Sequence, residues 1–149
     1  MANEISPIQD IIDSREVISR LEELEEIKET IEELTEQLEE LDEDVGEEAE
    51  DLRAEIESYE KDFEDCEEEY MFLVALKEAF EGYGDWEYGE EIINDDYFAD
   101  FAKQFAEEIY DLPDSWPANH IDWEAAADAL KEDYMSVDIA NVGTFWMRS

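Results

Sequence analysis

Apolar residues recur every three or four positions from Val17 to Leu76, in two runs. The first is Val17, Leu21, Leu24, Ile27, Ile31, Leu34, Leu38, Leu41 and Val45; the second is Ala49, Leu52, Ile56, Tyr59, Phe63, Cys66, Tyr70, Leu73 and Leu76. Residues at this spacing share one helix face, and the pattern is the seam of a coiled coil. The 21–24–27 step amounts to a three-residue insertion that overwinds the helix locally. At DEDVGEE the frame shifts by one residue, with Gly46 at the shift, where glycine suits a helix C-terminus and a chain reversal. Folding back there pairs Leu41 with Leu52, Leu38 with Ile56, Leu34 with Tyr59 and Ile31 with Phe63. Continuing outward, Ile27 meets Cys66, Leu24 meets Tyr70 and Leu21 meets Leu73. Every layer has an apolar partner, so the pattern predicts an antiparallel helical hairpin that closes its own seam. The alternative is one long helix in a parallel homodimer, with Gly46 tolerated at about 1 kcal/mol.

After Phe80 the texture changes. EGYGDWEYGEE carries three glycines and three aromatic residues and reads as a turn-rich joint. Asn94 then has the character of an N-cap, with Asp95 and Asp96 placed favourably against the helix dipole. Phe98, Phe101, Ala102, Phe105 and Ile109 form one apolar face of the helix that follows, until DLPDSWPANH breaks it with two prolines. A short helix capped by Asp122 comes next, with Trp123, Ala126, Ala127 and Leu130 on one side. The tail YMSVDIANVGTFWMRS has β-branched and aromatic character on both sides of Ala140-Asn141, which predicts a small hairpin. The expected fold is mostly α: a long acidic antiparallel coiled-coil hairpin over residues 1–80, then a small α+β module with a C-terminal β-hairpin. Residues 81–94 form the joint between the hairpin and the module at 95–149. Tryptophans and tyrosines of the module are expected in its core.

Charge changes the picture. Against 49 Asp and Glu stand 9 Lys and Arg, a formal net charge of −40. Such a field excludes nucleic acid and anionic membrane as direct partners and attracts basic surfaces. A hydrophobic content of 44% with 12% aromatic residues exceeds what a disordered acidic tail carries, so a folded protein with a charged skin is expected. The single Cys66 leaves no intrachain disulfide and fits a reducing bacterial cytoplasm. No apolar run approaches the roughly 18 residues of a membrane span, and MANEISPIQD lacks a signal-peptide pattern.

Enzyme signatures are absent: there is no GxGxxG, P-loop, HExxH or Cys/His ligand cluster. His120, the only histidine, lies at a helix start, where closing a turn explains it better than general-base chemistry. Acidic neighbours Asp65 and Glu67 disfavour a reactive thiolate at Cys66, which falls on the seam as a small core residue. Glu67, Glu68 and Glu69 could act as acid/base carboxylates, yet nothing in the sequence gathers them in a pocket. DEDVGEEAEDL offers oxygen ligands and a glycine but does not match the EF-hand spacing. No enzyme activity, metal or cofactor is therefore expected.

The acidic run itself needs a reason. Glu32 to Leu52 holds twelve acidic residues and no basic one, and Leu21 to Tyr70 holds 26 acidic and 3 basic residues, a net of −23. Coiled coils ordinarily alternate Glu with Lys so that neighbouring turns attract, and like charges at i,i+4 cost stability. Two arms of about 25 residues make a rod roughly 37 Å long, or one net charge per ~1.6 Å. Duplex DNA carries one per about 1.7 Å, and two packed helices approach its width. The expected partner is accordingly the basic DNA-binding groove of a protein. The candidate phosphate-mimicking carboxylates on the arm are Glu32, Glu33, Glu36, Glu39, Glu40, Asp42, Glu43, Asp44, Glu47, Glu48, Glu50 and Asp51. Two other classes stay open: an acidic chaperone that sequesters basic proteins, and a structural coiled-coil adaptor.

The C-terminal half adds a resemblance. INDDYF (Ile93 to Phe98), FAEEI (Phe105 to Ile109), WP (Trp116, Pro117), IDWEAAA (Ile121 to Ala127) and DY (Asp133, Tyr134) follow one another there. These words resemble the C-terminal part of ArdA-type antirestriction proteins, which are acidic DNA mimics carried by plasmids, transposons and phages. The resemblance implies an inhibitor that occupies the DNA groove of a type I restriction-modification enzyme to evade host defence. It carries over to the acidic residues on the matched words: Asp95, Asp96, Glu107, Glu108, Asp122, Glu124 and Asp133. It is confined to the C-terminal half.

Overall fold

The computed structural model describes residues 4–41, 46–113 and 115–149. The chain is mostly helical, with five α-helices and a four-stranded antiparallel sheet among the described residues. In order these are β1 (Ile11–Asp13), α1 (Ser14–Glu39), α2 (Glu47–Asp65), α3 (Glu67–Phe80), β2 (Glu91–Asn94), α4 (Phe98–Ile109), α5 (Trp123–Leu130), β3 (Tyr134–Ile139) and β4 (Gly143–Arg148). The strands lie in the order β1-β2-β4-β3, every neighbouring pair antiparallel.

Alternation along the strands sends their side chains to two faces. Ile12, Ile92, Met147 and Met135 stand in one row across the sheet. With Phe145 and Val137 they face a core shared with Val17, Leu21 and Leu24 of α1 and Phe72, Leu73, Leu76 and Phe80 of α3. The opposite row, Ile93 with Trp146, meets Phe98 and Ala102 of α4, Ala127 of α5 and the half-buried Tyr134. The Phe98 ring contacts those of Phe101, Tyr134 and Trp146 at centroid distances of 5.6, 5.2 and 5.8 Å. The sheet is thus covered on both faces, helix over sheet over helix, a layering that buries each apolar row once.

The sheet is wider than the C-terminal hairpin that the sequence predicts. Strand β1 comes from the segment ahead of α1, β2 from the end of the glycine-rich stretch, and β3 and β4 from the tail. Ser14 fastens this arrangement: its hydroxyl donates to the Trp86 carbonyl (2.8 Å) and accepts from the Glu90 N–H (2.7 Å). Gly89, at φ +117°, passes so close to Arg15 that a Cβ there would lie 2.7 Å from the guanidinium Nε.

Two expectations for the helices need correction. Gly46 begins α2 rather than ending α1: it is the N-cap residue, at φ +135°, and α1 already stops at Glu39 with Glu40 as its C-cap. The second run is also not one helix. It breaks at Cys66 (φ −108°, ψ 5°), whose N–H bonds the Phe63 carbonyl three residues back. The break re-aims the chain. Before it, α2 packs on α1, whereas after it α3 packs on both α1 and β3.

Candidate functional site

The arm carries the charge. Helix α1 starts on Asp13, whose carboxylate accepts from the Arg15 N–H (2.9 Å) and ion-pairs with the Arg15 guanidinium (2.7 Å). Hydrogen bonding from Arg15 holds the Asp13 carboxyl below its ordinary value. Helix α2 opens with Glu47, Glu48 and Glu50 in its first turn, where exposed backbone N–H groups favour negative charge. Contacts join α1 to α2, and the Lys28 ammonium lies over the rings of Phe63 (5.7 Å) and Tyr70 (4.9 Å).

Burial along the seam is graded. Val17, Leu21 and Leu24 are buried where α1 reaches the sheet, while Ile27, Ile31, Leu34, Leu38 and Leu41 are only half-buried. On α2, Ala49 is buried, Leu52, Ile56 and Phe63 are half-buried, and Tyr59 is exposed. Outside the seam, Glu32, Glu33, Glu36, Glu39, Glu40, Glu47, Glu48, Glu50 and Asp51 are all exposed. Glu47, Glu48, Asp51 and Glu55 line a shallow hollow of about 400 Å³ with Leu52. Asp42, Glu43 and Asp44 lie outside the described residues.

The module's candidates are exposed too, but several are engaged within the chain. Asp95 accepts from Lys131 Nζ (3.0 Å) and from the Trp146 indole N–H (2.8 Å). Desolvation raises its pKa, and these two hydrogen bonds more than reverse that, so the net shift is downward. Lys131 also stacks on Trp146 and Phe98, at 4.8 and 5.2 Å from the ring centroids. Asp122 caps α5 by accepting from the Ala125 N–H (3.2 Å), with Glu124 in the first turn. Asp96 gives its N–H to the Asn94 carboxamide, the cap expected there. Glu107 and Glu108 lie in the last turn of α4, and the Asp133 carbonyl accepts from the Ser149 hydroxyl (3.2 Å). Asp95 and Asp122 therefore have structural work besides any contact with a partner.

Two features were not read from the sequence. Glu69, one of three consecutive glutamates, is only 7% exposed. It takes a bidentate ion pair from Arg20 (2.9 and 2.8 Å) and a hydrogen bond from the Ile5 N–H (2.8 Å). Arg20 also reaches Glu23 (3.2 Å) and Cys66 Sγ (3.7 Å). Its bonds to Glu69 raise the guanidinium pKa against the opposing effect of desolvation. A signal existed: Arg20 adjoins seam residue Leu21 and Glu69 adjoins Tyr70, so both flank the same end of the seam. The second feature is Trp116, which is 77% exposed, as are Tyr110 (63%) and Tyr88 (79%). Of the module's tryptophans, expected in its core, Trp123 and Trp146 are half-buried and Trp116 is not a core residue; Trp86, in the joint, is buried.

His120 is exposed, and its N–H closes a turn onto the Pro117 carbonyl (2.9 Å). Among the described residues no group of three or more His, Cys, Asp or Glu is arranged to hold a metal ion, and no helix is long and apolar enough to cross a membrane. Comparisons of the chain with protein-family models, with curated proteins and with solved structures find no match.

Proposed function

We propose that this protein is a non-enzymatic mimic of duplex DNA from a phage or other mobile element. In the bacterial cytoplasm it occupies the DNA-binding groove of a host defence protein, foremost a type I restriction-modification enzyme. The observation that carries this reading is the run of exposed carboxylates along α1 and α2, on a stretch whose sequence holds a net −23 between Leu21 and Tyr70. The resemblance of the C-terminal words to ArdA-type proteins supports the same class of target. The mechanism is competitive occupancy. Carboxylates on a fixed scaffold meet the Lys and Arg that otherwise meet phosphate, and both surfaces release counterions.

In this reading α1 and α2 form one antiparallel coiled-coil arm. Their mutual contacts support it, as does the placement of Lys28 over the Phe63 ring. Spin labels at positions 38 and 56 of one chain are expected within about 10 Å, the spacing of packed helix axes. A separation near the roughly 27 Å of a continuous helix would refute the hairpin.

Capture from a bacterial lysate, with and without competing duplex DNA, tests the function. The expected catch is a small set of DNA-binding proteins that the duplex displaces. Indiscriminate capture of basic proteins would instead identify a sequestering chaperone, and a catch without nucleic-acid-binding proteins would end the proposal.

A further inference from the structure

Helices α2 and α3 meet at a single residue. Cys66 ends one and begins the other, in a backbone conformation that is not helical. Such element boundaries are where a chain bends, because few dihedrals have to change there. The two sides of the break are held unequally. Helix α3 sends Phe72, Leu73, Leu76 and Phe80 into the core, whereas Ala49 is the one buried residue of α2. Sparse burial makes α2 the side that opens at lower cost.

The Arg20 side chain lies across this break. Its guanidinium reaches Cys66 Sγ (3.7 Å), Glu69 in the first turn of α3 (2.9 and 2.8 Å) and Glu23 one turn along α1 (3.2 Å). The Glu69 oxygen that accepts from Arg20 Nε also accepts from the Ile5 N–H (2.8 Å). Ile5 is itself buried in the core. The segment after it is tied to β2 at its other end. Asn94 donates through its carboxamide to the Pro7 carbonyl (3.1 Å) and through its backbone N–H to the Asp10 carbonyl (2.9 Å). Between these anchors Ile8 is 85% exposed. Residues 5–10 therefore run as a strap from the helix break to the sheet. A buried ion pair adds little net stability, and its best-attested role is to fix one arrangement against alternatives.

We infer that the Arg20–Glu69 pair and the strap at Ile5 form a latch on a hinge at Cys66. Closed, the latch keeps α2 packed on α1. Released, it lets α2 swing away while α1, α3 and the sheet stay folded. The device does not depend on what the arm binds.

Distances between spin labels in the full chain test it, with one pair at Glu36 and Glu60 for α1 and α2 and a control pair at Glu16 and Glu78 for α1 and α3. Wild-type protein is expected to give one narrow distance for each pair. Arg20→Met should shift the ratio of open to closed forms by roughly a hundredfold, the effect of removing one partner of a buried pair, so that a longer 36–60 distance becomes visible. The control distance should not change. Arg20→Lys keeps the charge without the two-pronged geometry and should open less; it carries the test if Arg20→Met does not fold. Ile5→Pro removes the N–H that Glu69 accepts and should open the arm by about tenfold. Ile5→Val keeps that N–H with similar bulk and should behave as wild type. Equal opening in the two Ile5 variants would remove the strap from the latch. Broadening of both label pairs together would make the ion pair a support of the whole fold. Unchanged distances in every variant would show that packing of α2 on α1 holds the arm unaided. Either of these last two results overturns the inference.

Discussion

The two ends of α1 present the same type of sequence in different surroundings. Near its start, Val17, Leu21 and Leu24 are sealed by α3 and the sheet; farther along, Leu34, Leu38 and Leu41 share water with their packing partners. The base of α1 belongs to a core that draws on residues from Ile5 to Met147, whereas its distal half carries half-buried seam residues and exposed carboxylates. Arg15, Arg20, Lys77 and Lys131 make ion pairs at the base and in the module, while Lys28, Arg53 and Lys61 lie along α1 and α2. The lesson is that stability and charge are assigned to different parts of the molecule. The sheet with its covering helices supplies the fold, and the arm is free to carry a surface that self-repulsion would penalise in a compact domain.

The largest effect should come from the shared core. Phe80→Ala, at a fully buried position facing the sheet, is expected to cost about 3–5 kcal/mol of unfolding free energy. Leu38→Ala on the half-buried distal seam should cost roughly 1 kcal/mol, because less area leaves water there. Chemical denaturation of the two variants compares them directly, and equal losses would erase the distinction between base and arm. Next comes the buried pair. Arg20→Met strands the Glu69 carboxylate and is expected to cost about 3 kcal/mol, while Arg20→Met/Glu69→Leu should recover much of the loss. If the double variant is the worse of the two, the pair itself stabilises more than an apolar replacement does.

Smaller effects separate the module's charges from those of the arm. Asp95→Asn should cost below about 1 kcal/mol, since the ion pair with Lys131 is part-exposed and screened. Its pH signature is more informative. Asp13 and Asp95 both have folded-state values depressed below 3.8, so each contributes stability that is complete above that unfolded value. The contribution is lost as pH falls through the lower folded value. Acid unfolding of Asp95→Asn should therefore be less steep than that of wild type, and identical acid limbs would contradict the assignment. The smallest effect expected is on wild-type protein in moderate salt: screening of exposed repulsion should raise the melting temperature by a few degrees. A fall would mean that the arm's charges are paired.

Much of this organisation was legible because local chemistry decided it. The helix interruption near Gly46, the caps at Asn94 and Asp122, and the strands either side of Ala140-Asn141 all follow from short-range signals that the tertiary structure leaves intact. The apolar face of α4 is where the spacing put it for Phe98 and Ala102, though its last member, Ile109, is exposed. What escaped was decided at long range. Three residues, Ile11 to Asp13, are too short to announce a strand and become one by pairing with β2, about eighty residues away in sequence. The break at Cys66 answers to the sheet that α3 must reach. The burial of Glu69 depends on Arg20 arriving from α1, and the exposure of Trp116 depends on a loop that carries no periodicity.

The most direct test of the central claim is an equilibrium competition on a type I restriction-modification enzyme, between this protein and duplex DNA, across a range of salt. Mutually exclusive binding at one site and a steep loss of affinity with salt are expected. Single changes such as Glu40→Gln should have little effect, because exposed charge pairs are each worth below about 1 kcal/mol. Replacing Glu32, Glu33, Glu36, Glu39 and Glu40 together by Gln should weaken binding by several-fold to roughly a few hundred-fold. Binding that is indifferent to salt, or that duplex DNA cannot displace, would contradict that claim.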